Sequence, residues 1–121
     1  MSEVFADTSG WASAFVRTET YHVMAADYLR QWQSDGTLVV TTNYVLNEVS
    51  ALLTSPLRVP RPQQIALLNS IWTASWVEVV HIDPALDAAA RSLVVMEQRG
   101  ITSGFTNDHH FEQAGLMRLL R

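Results

Sequence analysis

The sequence EVFADTSGWASAFV, residues 3–16, joins a strand pattern to a helix pattern through turn-forming residues. Its first part, EVFADTS, is a short apolar run that ends in turn formers and predicts a β-strand. Its second part, TSGWASAFV, predicts a short helix capped by Thr8 or Ser9. The stretch therefore predicts a strand–helix unit with an acid, Asp7, at the end of the strand.

The rest of the chain repeats this alternation of strand and helix patterns. Further strands are predicted at TLVVTT (37–42), SWVEVVHI (75–82), ITSGFT (101–106, a weaker pattern) and, as an edge strand, LMRLL (116–120). Strands that alternate with helices indicate βαβ units, a parallel sheet and helices on both of its faces. We therefore predict an α/β fold with three layers, α/β/α, around a parallel sheet of four to five strands.

Five further helices are predicted between these strands. They cover residues 21–32, which SDG ends, NYVLNEVSALLTS (43–55), PQQIALLNSIWTA (62–74), a segment from Asp83 to about Arg99, and NDHHFEQAG (107–115). In PQQIALLNSIWTA, Ile65, Leu68 and Ile71 are predicted to share one buried face. Asp83 would cap the 83–99 helix and Pro84 fits its first turn.

Composition limits the class of protein. The chain has 121 residues, 48% hydrophobic and 17% charged, which indicates one globular domain. It has no cysteine, which excludes disulfides and thiolate metal sites and fits a cytoplasmic location, and no apolar run is long enough to span a membrane. The N-terminus lacks the pattern of a secretory signal. At a net charge of −4, broad charge neutralisation of nucleic acid is not expected, so metal or a local arginine cluster would have to offset the acids.

Three acids are predicted to lie at one edge of the sheet. Asp7 ends the first strand, Glu48 lies in the second turn of the helix after TLVVTT, and Asp108 follows ITSGFT. Sites in parallel sheets form outside the carboxyl ends of the strands. A hard divalent cation, Mg²⁺ or Mn²⁺, would relieve the repulsion between these carboxylates. The usual task of such a site is phosphoryl transfer through metal-activated water.

Each acid also has a structural interpretation. Asp7 could cap the first helix, Glu48 could be a solvated helix residue, and Asp108 could cap the helix of HHFEQAG. His109 and His110 are neighbours on a predicted helix, so their side chains should point in different directions and are not expected to share a metal.

Four motifs occur in an order that resembles a known family: VFADTSGW, VVTTNYVLNEV, WVEVVHID and GITSGFTNDHHFEQAGL. Together they resemble PIN-domain ribonucleases, in particular the VapC-like toxins of bacterial toxin–antitoxin pairs. The resemblance covers nearly the whole chain, residues 1–121, as one domain. It implies a Rossmann-like fold and a Mg²⁺- or Mn²⁺-dependent endoribonuclease that acts on RNA, forms a homodimer and is inhibited by a cognate antitoxin.

The resemblance also assigns roles to residues. Asp7 and Glu48 correspond to metal-binding catalytic acids, and Asp108 corresponds to the last acid of the site. Thr8 or Ser9 would support Asp7, and Thr106 would support the region of Asp108.

One segment of the family pattern is missing after Leu93. Similar members have two helices between VEVVHI and GIT, and a segment of the type W-S-L-T-D-C supplies an aspartate ligand at the start of the second. Here ARSL (90–93) runs directly into VVMEQRG (94–100), so a helix–loop–helix segment is absent. Ala89 stands at the position of the aspartate. Asp87 is two residues away, on another helix face, and is interpreted as a first-turn acid; Glu97 lies at the wrong edge of the sheet.

Two other functions stay open. The chain could be a catalytically impaired PIN-fold module that dimerises or binds an antitoxin without cleaving RNA. It could also be a generic βαβ nucleotide-binding domain, but no G-x-G-x-x-G or P-loop sequence follows any predicted strand.

Overall fold

A computed structural model describes residues 2–82 and 88–121 of the chain, with only the backbone of residues 88–90. The five strands form one sheet in the order β3-β2-β1-β4-β5, and every pairing is parallel. Their bounds are β1 Glu3–Ala6, β2 Leu38–Thr42, β3 Val77–Val80, β4 Ser103–Phe105 and β5 Met117–Arg118. The predicted α/β fold and its parallel sheet are confirmed, and LMRLL does supply the edge strand.

Six helices connect these strands along the described chain. They are α1 Thr8–Phe15, α2 His22–Asp35, α3 Asn43–Thr54, α4 Arg61–Thr73, α5 Ala88–Arg99 and α6 His110–Gln113. None of the described helices is both long and apolar enough to cross a membrane. The predicted Asp83 cap, Pro84 and the acid Asp87 lie outside the described residues.

The chain order reverses at the central strand β1. From β1 the sheet continues to β2 and β3 on one side, and to β4 and β5 on the other. Two neighbouring parallel strands whose following segments leave in opposite directions open a crevice at their carboxyl ends, where ligands bind in open α/β sheets. This places the candidate site between the ends of β1 and β4.

An aromatic cluster packs beneath this crevice. Trp11 and Trp32 meet the edge and face of Phe105 at centroid distances of 6.3 and 5.0 Å, with the ring planes near perpendicular. The indole Nε1 of Trp11 donates to the Thr41 hydroxyl at 3.3 Å, so its burial leaves no unsatisfied donor. The cluster holds α1 and α2 against β4.

The predicted buried face of α4 is wrong in one position. Ile65 is 53% exposed, whereas its neighbour Gln64 is 4% exposed. The Gln64 amide donates to the Val59 carbonyl at 2.8 Å, and its oxygen accepts from the Thr54 hydroxyl. Because these bonds compensate the amide for losing water, a polar residue can take the buried position.

The start of α1 also differs from its prediction. Asp7, and not Thr8 or Ser9, occupies the position before the first helical residue, and its side chain makes no capping hydrogen bond. The backbone explains this, because the Asp7 N–H donates to the Phe105 carbonyl of β4 at 3.2 Å. The first turn of α1 is therefore positioned by the neighbouring strand and not by a side-chain cap.

Gly10 lies where α1 passes closest to β4. A Cβ atom built on Gly10 would stand 2.0 Å from the carbonyl oxygen of Phe105 and 2.7 Å from its ring. Carbon and oxygen cannot approach that closely, so any side chain at this position must push α1 away from β4.

We predict that Gly10→Ala lowers the free energy of unfolding by about 1–3 kcal/mol or more, the usual range for overpacking a rigid site. Urea unfolding followed by circular dichroism measures the change. Ser34→Ala, on the exposed side of α2, is the control and should change stability by less than about 0.5 kcal/mol. A Gly10→Ala protein as stable as this control would contradict the close packing of α1 on β4.

Candidate active site

The three predicted acids line one pocket at the carboxyl edge of the sheet. Asp7 directly follows β1, Glu48 faces the pocket from the second turn of α3, and Asp108 follows β4. The pocket has a volume of about 440 Å³. The structure thus brings together all three side chains that the strand-end rule singled out, although 40 residues separate Asp7 from Glu48 and about 100 separate it from Asp108.

A buried hydroxyl, that of Thr106, connects two of these acids. Its Oγ1 donates to Oδ2 of Asp7 at 3.1 Å and accepts from the backbone N–H of Asp108 at 3.0 Å. Because a hydroxyl has a single hydrogen, Ser9, at 2.9 Å, must donate to Thr106 rather than accept from it. The Ser9 oxygen in turn accepts from the N–H of Asn107 at 3.0 Å. The chain of hydrogen bonds ends on Asp7 and fixes the direction of every donor.

Thr8 contacts a different acid from the one predicted. Its hydroxyl donates to Oε2 of Glu48 at 3.0 Å, whereas its backbone N–H acts on the Asp7 carboxylate. Neither Thr8 nor Ser9 therefore supports Asp7 through a direct side-chain bond, because both hydroxyls point along the first turn of α1 towards neighbouring elements. Thr106 supplies that bond.

The two histidines next to Asp108 stack on each other. The rings of His109 and His110 have centroids 4.4 Å apart at an angle of 29°, so the expectation that they diverge is wrong. His109 precedes the four-residue helix α6 and is not held in regular helical spacing. His110 bonds to Oδ1 of Asp108 through both its backbone N–H and its ring, at 3.0 and 2.7 Å. Asp108 thus does orient the start of α6, as its structural interpretation proposed.

The site perturbs its acids in opposite directions. Burial raises the pKa of Asp7, the nearby charges of Glu48 and Asp108 add to the rise, and the Thr8 N–H and Thr106 hydroxyl oppose it. Partial burial also acts to raise the pKa of Asp108, but the hydrogen bonds and charge of His110, with the charge of His109, hold it below its usual value. The repulsion is therefore concentrated on Asp7, the acid at the bottom of the pocket.

The donor set suits a hard divalent cation. Three carboxylates face one pocket, and the raised pKa of Asp7 shows that their charges repel one another. A divalent cation removes this repulsion, and carboxylate oxygens are the ligands that Mg²⁺ and Mn²⁺ prefer. Asp7, Glu48 and Asp108 are the residues that would hold it. Asp108 and the two histidines also have ligand atoms within 4.8 Å of one another.

Sequence reasoning missed two residues in the pocket wall, Tyr44 and Arg91. The Arg91 guanidinium lies 3.6 Å above the centre of the Tyr44 ring. Tyr44 comes immediately after β2, so the strand-end rule that selected Asp7 could have found it. Arg91 lies inside a helix pattern without any local signal. Where the description of α5 includes side chains, this helix contributes Arg91, Ser92 and Leu93 to the pocket and no carboxylate.

Comparison with solved structures identifies a similar protein. VapC20 from Mycobacterium tuberculosis, described as a sarcin–ricin loop cleaving toxin, superimposes with a TM-score of 0.79 and is 27% identical. The alignment covers 98% of this chain and 99% of that one. No family model matches the sequence, and no curated protein matches it. The chain thus resembles a VapC-like PIN-domain toxin, as its ordered motifs predicted.

We predict that Asp7→Asn stabilises the metal-free protein at neutral pH by about 0.5–2 kcal/mol, the usual size of a stabilising substitution. The pKa of Asp7 is higher in the folded state than in the unfolded state, so the folded state binds the proton more tightly. Stability from this group is present at low pH and is lost as the pH rises through the folded-state pKa. The neutral amide removes that loss.

Thermal unfolding in a chelator, from pH 4 to pH 8, measures this effect. Asp27→Asn, an exposed acid on α2, is the control and should leave the pH dependence unchanged. An Asp7→Asn protein that is no more stable than wild type at pH 7 would contradict the buried-charge interpretation. Adding Mn²⁺ should then stabilise wild type but not Asp7→Asn.

Proposed function

We propose that this chain is a metal-dependent endoribonuclease of the toxin type that hydrolyses RNA phosphodiesters with Mg²⁺ or Mn²⁺. The observation that carries the proposal is the convergence of Asp7, Glu48 and Asp108 on one pocket at the switch point of the sheet. The resemblance to VapC20 supports it, since that protein is described as a toxin that cleaves an RNA loop.

The chain's own residues have distinct tasks in this proposal. Asp7, Glu48 and Asp108 are the catalytic acids and hold the cation, which, when bound, lowers the pKa of water and offsets charge on phosphate oxygens. Thr106 orients the Asp7 carboxylate, and Thr8 orients that of Glu48, through the hydrogen bonds described above. Ser9 acts on Asp7 only through Thr106. The aromatic floor beneath the site keeps these supports rigid.

The substrate class follows from the same comparison. VapC20 is described as cleaving the sarcin–ricin loop, and an oligoribonucleotide with that loop is therefore the first substrate to test. The proposal further includes a homodimer, inhibition by a cognate antitoxin protein and action in the cytoplasm, where RNA and antitoxin would both be present. These partners are inferred from the resemblance to VapC-like toxins.

A second candidate is a catalytically impaired module that binds RNA or antitoxin without cleavage. The observation in its favour is the composition of the pocket wall, because the described side chains of α5 place an arginine there and no fourth acid. Metal-dependent cleavage distinguishes the two candidates. Antitoxin capture without cleavage would favour the impaired module.

We expect wild type to cleave a sarcin–ricin loop oligoribonucleotide in Mn²⁺, and Asp7→Asn to cleave it at least about 100-fold more slowly. Loss of a metal ligand removes several kcal/mol of transition-state stabilisation, and each 1.36 kcal/mol is a factor of ten in rate. Gel analysis of labelled RNA measures the rates, with Asp27→Asn as the matched loss of one carboxylate outside the pocket. Equal rates for wild type and Asp7→Asn, or cleavage that survives a chelator, would refute the proposal.

We also propose that the molecule itself lacks the helix–loop–helix segment after Leu93. Support comes from α5, which is one continuous helix from Ala88 to Arg99 and completes the crossover from β3 to β4 alone. Intact-mass spectrometry of the natural protein should give 13.5 kDa. A mass greater by that of a second helix would contradict the deletion.

A further inference from the structure

The wall of the pocket opposite the acids carries a stacked pair formed by Tyr44 of α3 and Arg91 of α5. The guanidinium carbon of Arg91 lies 3.6 Å from the centre of the Tyr44 ring, and both side chains line the pocket. Both are only partly exposed to solvent. Stacking on an aromatic face restricts a flexible arginine to one plane and adds a favourable cation–π interaction. The pair therefore presents a positive charge at a defined position beside three carboxylates.

The charge of the chain makes this position important for an RNA ligand. The net charge is −4 with no lysine, and the pocket itself contains Asp7, Glu48 and Asp108. A polyanion approaching such a pocket is repelled unless a cation lies on its path. Among the described residues that line the pocket, Arg91 is the only arginine.

The geometry of the stack suits a phosphate group. A guanidinium carries its N–H donors in its own plane, in a fork that matches two phosphate oxygens, whereas stacking uses its face. A nucleobase would instead need an aromatic face on which to stack. The Arg91 guanidinium covers one face of the Tyr44 ring, so the pair is better suited to phosphate than to base recognition on that face.

We propose that Arg91, held in place by Tyr44, binds a backbone phosphate of RNA beside the carboxylate pocket. This inference rests on the proposed function for its substrate class. It assigns to α5, the helix in which the family acid is missing, a substrate-binding role in place of a metal-binding one. Arg91 contributes the charge and Tyr44 its position.

The test measures binding of a labelled single-stranded oligoribonucleotide in a chelator, where metal-dependent cleavage cannot occur, over a series of salt concentrations. Arg91→Ala should weaken binding by about tenfold to a hundredfold, the value of a hydrogen bond to a charged group. The slope of log K against log salt should also become shallower by about 0.7, because one phosphate contact is lost. A purely structural role for Arg91 would not change this slope.

Three further variants sharpen the test. Arg91→Lys keeps the charge and should keep most of the salt slope, but bind less tightly because the two-pronged contact is lost. Tyr44→Leu should weaken binding less than Arg91→Ala, since it removes only the support. Arg61→Ala, an exposed arginine at the start of α4 and outside the pocket, is the matched loss of charge and should change neither quantity.

The outcomes separate this inference from the proposed function. Unchanged affinity and salt slope in Arg91→Ala, or an equal effect of Arg61→Ala, would overturn the inference even if Mn²⁺-dependent cleavage is intact. RNA binding that depends on Arg91, without any cleavage in Mn²⁺, would contradict the proposed function alone. A wild-type chain that binds no RNA would contradict both.

Discussion

The packing of α1 against β4 is the contact on which the site depends. The Asp7 N–H donates to the Phe105 carbonyl, and Gly10 approaches the same carbonyl so closely that a Cβ atom would stand 2.0 Å from it. Through this contact the end of β1 and the end of β4 become one surface, with Asp7 beside Thr106. The buried rings of Trp11 and Phe105 support it from below. A helix displaced by even an ångström would separate the first acid from its hydrogen-bond donor.

The polar network above this contact balances two opposing requirements. The acids must be close enough to share a cation, and their closeness raises the pKa of Asp7 by burial and by repulsion. Hydroxyl and backbone donors from Thr8 and Thr106 offset part of this cost without neutralising the charge. Arg91, stacked on Tyr44, adds positive charge at the wall. The site is thus arranged for an anionic ligand and a cation together, which neither set of residues could accommodate alone.

Several predictions from local pattern were right for a physical reason, and others were wrong for one. Strand-end acids converge because parallel strands bring their carboxyl ends to one edge, whatever lies between them in the chain. The faces of helices are less certain, as α4 shows: Gln64 is buried and Ile65 exposed because a loop carbonyl needs the Gln64 amide. The stacked His109 and His110 depart from helical spacing because α6 is too short to impose it.

The sequence by itself determined the α/β class, the parallel sheet, the resemblance to VapC-like toxins and the identity of the three acids. These features depend on periodicity and on residues that follow strands, and both are local. Tertiary structure alone decided which hydroxyl serves which carboxylate, that Thr8 serves Glu48 and Thr106 serves Asp7. It alone also decided that Arg91 stacks on Tyr44. Such contacts join residues about 40 to 100 positions apart, and their geometry depends on how helices pack on the sheet, which no local pattern encodes.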